Sequence, residues 1–169
     1  MKKLNQKIEI RPPKISDLNS LLAMINSLVE EKAMITIQKK QTLKQEKEYL
    51  EGIIKDKEGV HLFLIINGEV MGNARVGRLK SIENHIGQLG ISVKKEARGL
   101  GLGEKLFREV MNKAIKKFKL KIITLDVHMK NKIAQNLYKK MGFEKVGIIK
   151  GGARHYGKYE DSMIMAKYI

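Results

Sequence analysis

A glycine-rich run between two contrasting apolar patterns is the feature of this sequence that most limits its fold. Residues 85–93 have the pattern of a β-strand, whereas from Leu102 an apolar residue recurs at every fourth position, as in an α-helix. The run between them reads Arg98-Gly99-Leu100-Gly101-Leu102-Gly103. Glycines let a backbone approach an anion closely, and the N-terminus of a following helix adds about half a positive charge. The run therefore predicts either a phosphate-binding turn, to which Arg98 adds a full charge, or a glycine-rich connection without a ligand.

The spacing of these glycines excludes two common phosphate-binding motifs. A dinucleotide-binding fingerprint requires the spacing G-x-G-x-x-G and an acidic residue about 20 positions later, after a second parallel strand. A P-loop requires Lys and then Ser or Thr directly after its last glycine. Neither pattern occurs here, because Gly103 is followed by Glu104 and Lys105. A phosphate site at this turn would belong to another class.

The apolar patterns along the chain predict one domain. Strand patterns occur at residues 7–11, 60–66, 69–79, 85–93, 120–127, 143–149 and 159–169. Helix patterns begin at Ser16, at Thr42 with a capping box to Gln45, at Leu102 and at Asn131. The order is βααβββαβαββ, and Asn67-Gly68 predicts a hairpin between the second and third strands. With no internal repeat or composition break, we expect a single α/β domain over residues 1–169 with a mixed sheet.

The amino-acid composition and the lengths of the apolar runs exclude several kinds of site. It has no Cys, which excludes disulfides, a thiol nucleophile and thiolate metal sites, and its four His include no pair at helix-face spacing. No apolar run is longer than the five residues 62–66, which are far fewer than the roughly 20 residues of a membrane span. No apolar signal-peptide core follows the first residues. We therefore expect no metal site, no membrane segment and a cytoplasmic location.

The net charge is strongly positive. The chain has 34 Lys and Arg against 18 Asp and Glu, a formal net charge of +16. A surplus of this size attracts polyanions, whether nucleic acid, acidic lipid or a phosphorylated cofactor. A nucleic-acid-binding or ribosome-binding module is therefore an alternative to an enzyme, but aromatic residues, at 5%, offer few platforms for stacking bases. Nucleic acid is the less favoured partner, and the charge itself has no explanation in the sequence.

Two motifs give the chain a resemblance to a known family. The first is Arg98-x-x-Gly101-x-Gly103, and the second, about 30 residues later, comprises Asn131, Ala134, Tyr138, Gly142 and Phe143. In this order, and on these element types, the motifs resemble the signatures of the GNAT superfamily of acetyl-CoA-dependent N-acetyltransferases. The resemblance extends over the chain from about Ile8, and the last strand is similar to that of the ribosomal-protein and amino-acid acetyltransferases. It implies the GNAT fold, a mostly antiparallel central sheet flanked by helices.

The resemblance also implies a binding site for acetyl-CoA. In this family the coenzyme lies in a V-shaped opening between the fourth and fifth strands, here residues 85–93 and 120–127. Its pantetheine arm would pair with the backbone of the fourth strand, and its pyrophosphate would bind at the glycine-rich turn. The residues implied for coenzyme binding are Ile91, Ser92, Val93, Arg98, Gly99, Leu100, Gly101, Leu102, Gly103, Asn131 and Tyr138.

The resemblance implies direct attack of an amine on the thioester in a ternary complex, with two catalytic residues. The N–H of Val93 would polarise the thioester oxygen. Tyr138 would act as general acid, because a phenol with a pKa of about 10 is protonated at neutral pH and can donate to a thiolate. Asn131 and Tyr138 are two helical turns apart and share a face. A family member that only senses acyl-CoA, without catalysis, is a further alternative.

The general base and the acceptor are not identified by the sequence. Many relatives place an acidic residue where Gly87 or Gln88 stands here, and neither can accept a proton. Glu83 and His85 lie slightly upstream, and of these His85 suits the role of a base better. The base could instead be an ordered water, or be absent if the substrate amine has a low pKa. For the acceptor site the candidates are Glu30, Glu31, His85 and Arg154, the last in a predicted loop over residues 151–157. The acceptor is expected to be an amino acid, a protein N-terminus or another small amine, and the protein a monomer or homodimer.

Overall fold

A computed structural model describes residues 6–169, and its elements follow the predicted order. The strands are β1 (Ile8–Arg11), β2 (Gly59–Ile66), β3 (Glu69–Arg78), β4 (Ile86–Val93), β5 (Ile122–His128), β6 (Glu144–His155) and β7 (Lys158–Tyr168). The helices are α1 (Leu18–Glu30), α2 (Leu43–Lys55), α3 (Leu102–Phe118) and α4 (Lys132–Lys140).

The seven strands form one sheet in the order β1-β2-β3-β4-β5-β7-β6. Neighbouring strands are antiparallel, except that β4 and β5 are parallel. The predicted fold class, an α/β domain with a mixed and mostly antiparallel sheet flanked by helices, is therefore confirmed. Among residues 6–169, no helix combines the length and the apolar character needed to cross a membrane.

Helices cover both faces of the sheet. α1 and α2 pack with Phe63 and Ile65 on one face, and α3 packs with Leu62 and Leu64 on the other. Consecutive residues of β2 enter different cores because side chains alternate along a strand. Both faces of this strand are buried, which explains why its sequence is apolar without interruption at residues 62–66.

Two local sequence signals are confirmed at the atomic level. Thr42 and Gln45 form the predicted capping box of α2: Thr42 Oγ1 accepts the N–H of Gln45 at 3.3 Å, and Gln45 Oε1 accepts the N–H of Thr42 at 2.9 Å. Asn67 and Gly68 both have positive φ, 52° and 86°, and close the hairpin between β2 and β3. Each signal needs only neighbouring residues, which is why the sequence was sufficient.

Two predictions were wrong. The helix pattern that begins at Ser16 predicts this residue as the cap of α1, but Ser16 lies in a 3₁₀ turn over Ile15–Asp17 and Asp17 is the N-cap. Most of the predicted loop over residues 151–157 belongs to β6, and only Tyr156 and Gly157 form the turn into β7. The glycines at 151 and 152 lie where the register between β6 and β7 shifts, so they serve a bulge in a strand.

Candidate active site

The parallel strands β4 and β5 separate after a short stretch of pairing. Only Ile86–Gln88 pair with Ile122–Thr124, although β4 continues to Val93 and β5 to His128. On their other edges, β4 stays paired with β3 and β5 stays paired with β7. The two halves of the sheet therefore diverge and leave a V-shaped opening, in the place that the resemblance implies.

The backbone groups of β4 face in two directions alternately. The N–H of Lys94 donates to the carbonyl oxygen of Met71 on β3 at 2.8 Å, so the register directs the backbone groups of Ser92 to β3 as well. The N–H and C=O groups of Ile91 and Val93 consequently point to the opening. Ser92 was expected to contact the coenzyme through its backbone, and this expectation is corrected because the sheet already uses those groups.

The glycine-rich turn follows the wide end of the opening. Gly99 and Gly101 have φ values of 75° and 74°, in the left-handed region that favours glycine. Gly101 is the N-cap of α3, and no atom lies within 4 Å of the position that its Cβ would take. The first N–H groups of a helix have no partner within the helix. The turn thus combines open space, unpaired N–H groups and a helix N-terminus, which together suit a phosphate.

Arg98 is held by the protein itself. Its Nε donates to the carbonyl oxygen of Val93 at 2.9 Å, and its two terminal nitrogens donate to the two carboxylate oxygens of Glu31. The pair joins the end of α1 to the end of β4. The sequence predicts a free positive charge for a pyrophosphate, whereas in the structure Glu31 neutralises much of that charge. An anion at this turn would therefore interact mainly with backbone N–H groups.

Tyr138 is buried on α4 among aromatic neighbours. Its ring is 8% exposed and lies 5.7 Å from the ring of Phe107 and 6.3 Å from that of Phe143, between centroids. Burial raises the pKa of Tyr138 to about 12. The phenol is therefore firmly protonated at neutral pH, which a proton donor requires.

Asn131 has a structural task at the start of α4. Its Oδ1 accepts the N–H of Ala134 at 3.1 Å, so it is the predicted N-cap. The side-chain amide of Gln135 donates to the carbonyl oxygens of His128 and Met129, at 3.0 and 2.9 Å. These bonds fix the connection from β5 to α4. A direct role of Asn131 in coenzyme binding stays a prediction.

Contacts from distant parts of the chain close the opening on the side of α1. Tyr156 Oη donates to the carbonyl oxygen of Val29 at 3.1 Å. His155 Nε2 lies 3.2 Å from the carbonyl oxygen of Ala33. The turn between β6 and β7 is thereby attached to the end of α1.

The side chain of Gln38 adds two hydrogen bonds to this attachment. Its Nε2 donates to the carbonyl oxygen of Arg154 at 2.6 Å, and its Oε1 accepts the N–H of Tyr156 at 2.7 Å. A glutamine amide thus binds the hairpin as a neighbouring strand would. We call the two segments that meet here, residues 32–42 and 150–158, the clasp.

The clasp reaches both strands of the opening. On one side, the rings of His155 and His128 lie 5.6 Å apart, and His128 is the last residue of β5. On the other side, Glu31, directly before the clasp, holds Arg98, which binds the carbonyl oxygen of Val93 at the end of β4. The clasp therefore bounds the side of the opening from which an acceptor would approach.

Two polar residues of β5 face the same side as the clasp, and the sequence analysis did not single them out. Leu125 and Val127 point into the core formed with α3, so Asp126 and His128 point to the opposite face. Asp126 Oδ2 lies 3.5 Å from Nε2 of Gln88. The alternation Leu-Asp-Val-His at the end of a buried strand is the signal that could have identified them.

A carboxylate lies beside His128. Glu160 Oε2 is 3.5 Å from His128 Nδ1, and Glu160 Oε1 accepts a hydrogen bond from Lys130 at 2.7 Å. The hydrogen bond from Lys130 lowers the pKa of Glu160, so this carboxyl group is an anion at neutral pH. A carboxylate beside Nδ1 favours the tautomer of His128 that carries its proton on Nδ1. The other ring nitrogen, Nε2, can then accept a proton.

β4 carries no acidic side chain at residues 87 and 88, whereas the neighbouring strand β5 carries one nearby. Gly87 faces the core, where an added Cβ would lie 2.7 Å from Leu120 Cδ1 and 2.8 Å from Val76 Cγ1. Gln88 faces the other side, next to Asp126. A carboxylate is therefore present at this level of the opening, but on β5.

The predicted acceptor residues are only partly brought together. Glu31 borders the clasp, and Arg154 is exposed on it, with its guanidinium carbon 5.7 Å from the ring centre of Tyr159. Glu30 is exposed and pairs with Lys40 at 2.6 Å. His85 lies at the closed end of the opening, about 26 Å along the strand from Val93, so its expected role is corrected. Within residues 6–169, no three potential metal-ligating side chains converge.

Comparisons with known proteins identify the relatives of this chain. The sequence profile of the acetyltransferase (GNAT) family matches residues 23–143. The L-amino acid N-acetyltransferase AaaT of Escherichia coli (strain K12) is 29% identical over 116 residues, which cover 68% of this chain and 72% of the relative. An N-alpha-acetyltransferase of Sulfurisphaera tokodaii is 26% identical over 122 residues, which cover 67% and 71% of the two chains.

A solved structure is similar over almost the whole length. It is a ribosomal-protein-alanine N-acetyltransferase from Brucella melitensis, with a TM-score of 0.85 and 26% sequence identity. The similarity covers 95% of this chain and 99% of that one. The two proteins therefore share one fold over almost their whole lengths.

Proposed function

This chain belongs to the acetyltransferase (GNAT) family, and we propose that it transfers an acetyl group from acetyl-CoA to a primary amine by direct attack in a ternary complex. It is an acyltransferase, and its donor is acetyl-CoA. Bound acetyl-CoA supplies the thioester that the amine attacks. The proposal assigns the roles of individual residues around that bond.

The observation that carries the proposal is the divergence of β4 from β5. Beyond three paired residues, the backbone groups of Ile91 and Val93 face the opening without a partner strand. The glycine-rich turn, with its N–H groups at the start of α3, follows at the same end. An elongated ligand with amide groups in the middle and phosphates at one end fits this combination.

Val93 and Tyr138 act on the two atoms where charge develops. The N–H of Val93 donates to the thioester oxygen and stabilises its negative charge as the amine attacks. The bond from the amine nitrogen to the carbonyl carbon forms and the carbon–sulfur bond breaks. Tyr138, protonated because burial raises its pKa to about 12, then donates its proton to the sulfur.

The proton of the attacking amine needs a second group. Asp126 and His128 support this step, since both are on the acceptor face of β5 and belong to the side bounded by the clasp. Glu160 orients His128 through Nδ1, which leaves Nε2 to accept the proton. Solvent afterwards returns a proton to Tyr138 and removes one from the base.

The acceptor is an amine next to a carboxyl or peptide group. Two relatives support this: one is named for L-amino acids and the other for the N-alpha position. The surplus of positive charge argues against a polyamine, because like charges repel on approach.

Calorimetric titration with acetyl-CoA, followed by an assay of thiol release, tests the function. We expect saturable binding, and thiol release only when an amine acceptor is added. Free amino acids, N-terminal peptides and spermidine form the acceptor panel. Absence of binding at millimolar acetyl-CoA would contradict the proposal, and binding without thiol release for any amine would indicate an acyl-CoA sensor.

Two variants identify the group that accepts the proton. Removing a general base lowers turnover by about 10²-fold or more, so Asp126→Asn and His128→Asn are compared at saturating acetyl-CoA. The variant with the large loss identifies the base. Equal activity of both variants and the wild type would leave the role to water and remove both residues from the mechanism.

A further inference from the structure

The clasp has an unusual distribution of charge. Residues 32–42 and 150–158 contain six basic residues and no acidic one. These two short segments therefore contribute +6 to the net charge of +16. The basic residues are Lys32, Lys39, Lys40, Lys150, Arg154 and Lys158.

Four of these six basic residues have no carboxylate within salt-bridge distance in the described part of the chain. Lys40 pairs with Glu30 and Lys150 pairs with Asp161, at 2.6 and 2.9 Å. Lys32, Lys39, Arg154 and Lys158 form no such pair among residues 6–169, and all four are exposed.

Contacts within the clasp place Lys32 and Lys158 on the side that faces His128, whereas Arg154 is paired in register with Tyr159 and points to the opposite face of the hairpin from His155. Lys39 follows Gln38, whose amide binds the backbone on both sides of His155. Lys32 Nζ lies 5.7 Å from the ring centre of Tyr156. Lys158 is paired in register with His155, whose ring contacts His128 at the end of β5. The surface that carries Lys32 and Lys158 is therefore continuous with the acceptor side of the opening.

We propose that the acceptor is the N-terminus of a polypeptide whose first residues are acidic, and that the chain beyond the reacting nitrogen lies across the clasp. This inference rests on the proposed function and specifies its substrate. Acidic side chains would meet Lys32 and Lys158 on the two halves of the clasp. Opposite charges steer association and orient the partner.

A free amino acid uses this surface poorly. Its single carboxylate is two bonds from the reacting nitrogen, so it cannot reach both halves of the clasp. An extended peptide advances about 3.3 Å per residue and can place successive carboxylates along the surface. A basic peptide or a polyamine would be repelled.

The test compares matched peptides. We measure kcat/KM by thiol release for free alanine and for two peptides that both begin with Ala and continue with three Glu or with three Lys. We expect the acidic peptide to exceed the basic one by about tenfold at low salt. The difference should shrink at 0.5 M salt, because exposed charges are screened beyond about 4 Å there.

Charge reversal shows whether the clasp causes this preference. The double variant Lys32→Glu/Lys158→Glu should lower kcat/KM for the acidic peptide about tenfold and raise it for the basic one. The control Lys113→Glu/Lys116→Glu makes the same charge change on exposed residues of α3, on the other face of the sheet. It should leave both values within about twofold. Circular dichroism and the Kd for acetyl-CoA verify that each variant is folded and binds its donor.

The possible outcomes separate this inference from the proposed function. Thiol release with free alanine that equals or exceeds that with the acidic peptide would overturn the inference but support the function. A preference for the basic peptide, or equal effects of the two double variants, would also overturn it. Binding of a single-stranded oligonucleotide that only the clasp variant abolishes, without any preference among peptides, would assign the surface to nucleic acid instead. No thiol release with any amine would contradict the function itself.

Discussion

The proposed donor side and the proposed acceptor side of the opening are built in different ways. On the donor side, residues 86–103 form one continuous piece of chain, and the groups that face the opening are backbone N–H and C=O groups. On the acceptor side, the clasp joins segments more than 100 residues apart, mostly through side chains such as that of Gln38. The donor side therefore depends on local backbone conformation, and the acceptor side on long-range contacts that a few substitutions can change.

This difference has a chemical reason. A backbone N–H binds any phosphate or amide of suitable geometry. One short motif is therefore sufficient to bind a donor that is always the same molecule, acetyl-CoA. An acceptor is distinguished by its charge and shape, which side chains recognise. The clasp can thus vary while β4 and the turn stay the same.

The largest expected effect concerns Tyr138 on α4, which is proposed to act on the sulfur of the donor. Tyr138→Phe should lower kcat by one to several orders of magnitude, because the thiolate loses its proton donor. The Kd for acetyl-CoA should be nearly unchanged, since the ring still packs against Phe107 and Phe143.

The role of Tyr138 also predicts a pH dependence for the wild type, and the Phe variant has a matched control. Because burial raises the pKa of Tyr138 to about 12, ionisation of this phenol should not reduce kcat below pH 10. Tyr168→Phe removes a hydroxyl from a residue that is 68% exposed, and its kcat should equal that of the wild type. Full activity of Tyr138→Phe would show that Tyr138 is not the general acid.

A pair of glycine variants tests how strictly the donor side depends on its backbone. Gly101→Ala forces a side chain into the left-handed region at φ 74° and should cost about 1–2 kcal/mol. The free turn can relieve this strain by changing its conformation, and binding must then restore the conformation; a cost of about 1.4 kcal/mol weakens acetyl-CoA binding about tenfold. Both values are measured by calorimetry and chemical unfolding.

Gly103→Ala is the control for this prediction. Gly103 lies in the first turn of α3, and its added Cβ would meet Val93 Cγ2 at an ordinary 3.5 Å. Its Kd should stay within about twofold of the wild type because alanine favours a helix. Equal weakening in both variants would mean that space near the ligand, and not backbone conformation, is limiting.

On the acceptor side, the expected effects are local. Gln38→Ala removes the bond to the N–H of Tyr156, and amide hydrogen exchange at Tyr156 should accelerate about fivefold. Gln41→Ala is the matched control, because Gln41 lies in the same segment and its side chain binds only the nearby carbonyl oxygen of Lys39. Equal acceleration by both would show that Gln38 does not hold the clasp.

The smallest expected effect tests the border between the two sides. Glu31→Gln removes the negative charge that Arg98 faces, and Arg98 is 46% exposed, so solvent screens the pair. Acetyl-CoA binding should tighten by about threefold if Arg98 then turns to the pyrophosphate. Weaker binding would mean that the pair is needed to position the end of β4.

The sequence was sufficient wherever neighbouring residues determine the structure. The capping box of Thr42, the hairpin at Asn67 and the cap at Asn131 were predicted because each depends on contacts within a few residues. The element order followed from the apolar patterns along the chain, and the opening between β4 and β5 followed from the two motifs and the family they resemble. The end of β6 was missed because its pairing with β7 overrides two glycines.

The acceptor side was predicted only in part, since its contacts join residues far apart in the sequence. Nothing around Gln38 indicates that its amide binds a hairpin more than 100 residues later. Arg98 was predicted to be free, and its partner Glu31 is 67 positions away. The alternation along β5 indicates that Asp126 and His128 face away from the core. Their proposed role in proton transfer could not be predicted, because it depends on the clasp, which is formed by segments far away in the sequence.

The short pairing between β4 and β5 has a mechanical consequence. Three residue pairs join the four strands from β1 to β4 to the three strands β5, β7 and β6. β1 lies in one group and β7 in the other, so a force that pulls these two strands apart loads this seam directly. Forced unfolding should begin there. A ligand that forms hydrogen bonds along both sides of the opening would reinforce the seam. Binding of such a ligand should therefore increase the force needed to separate β4 from β5.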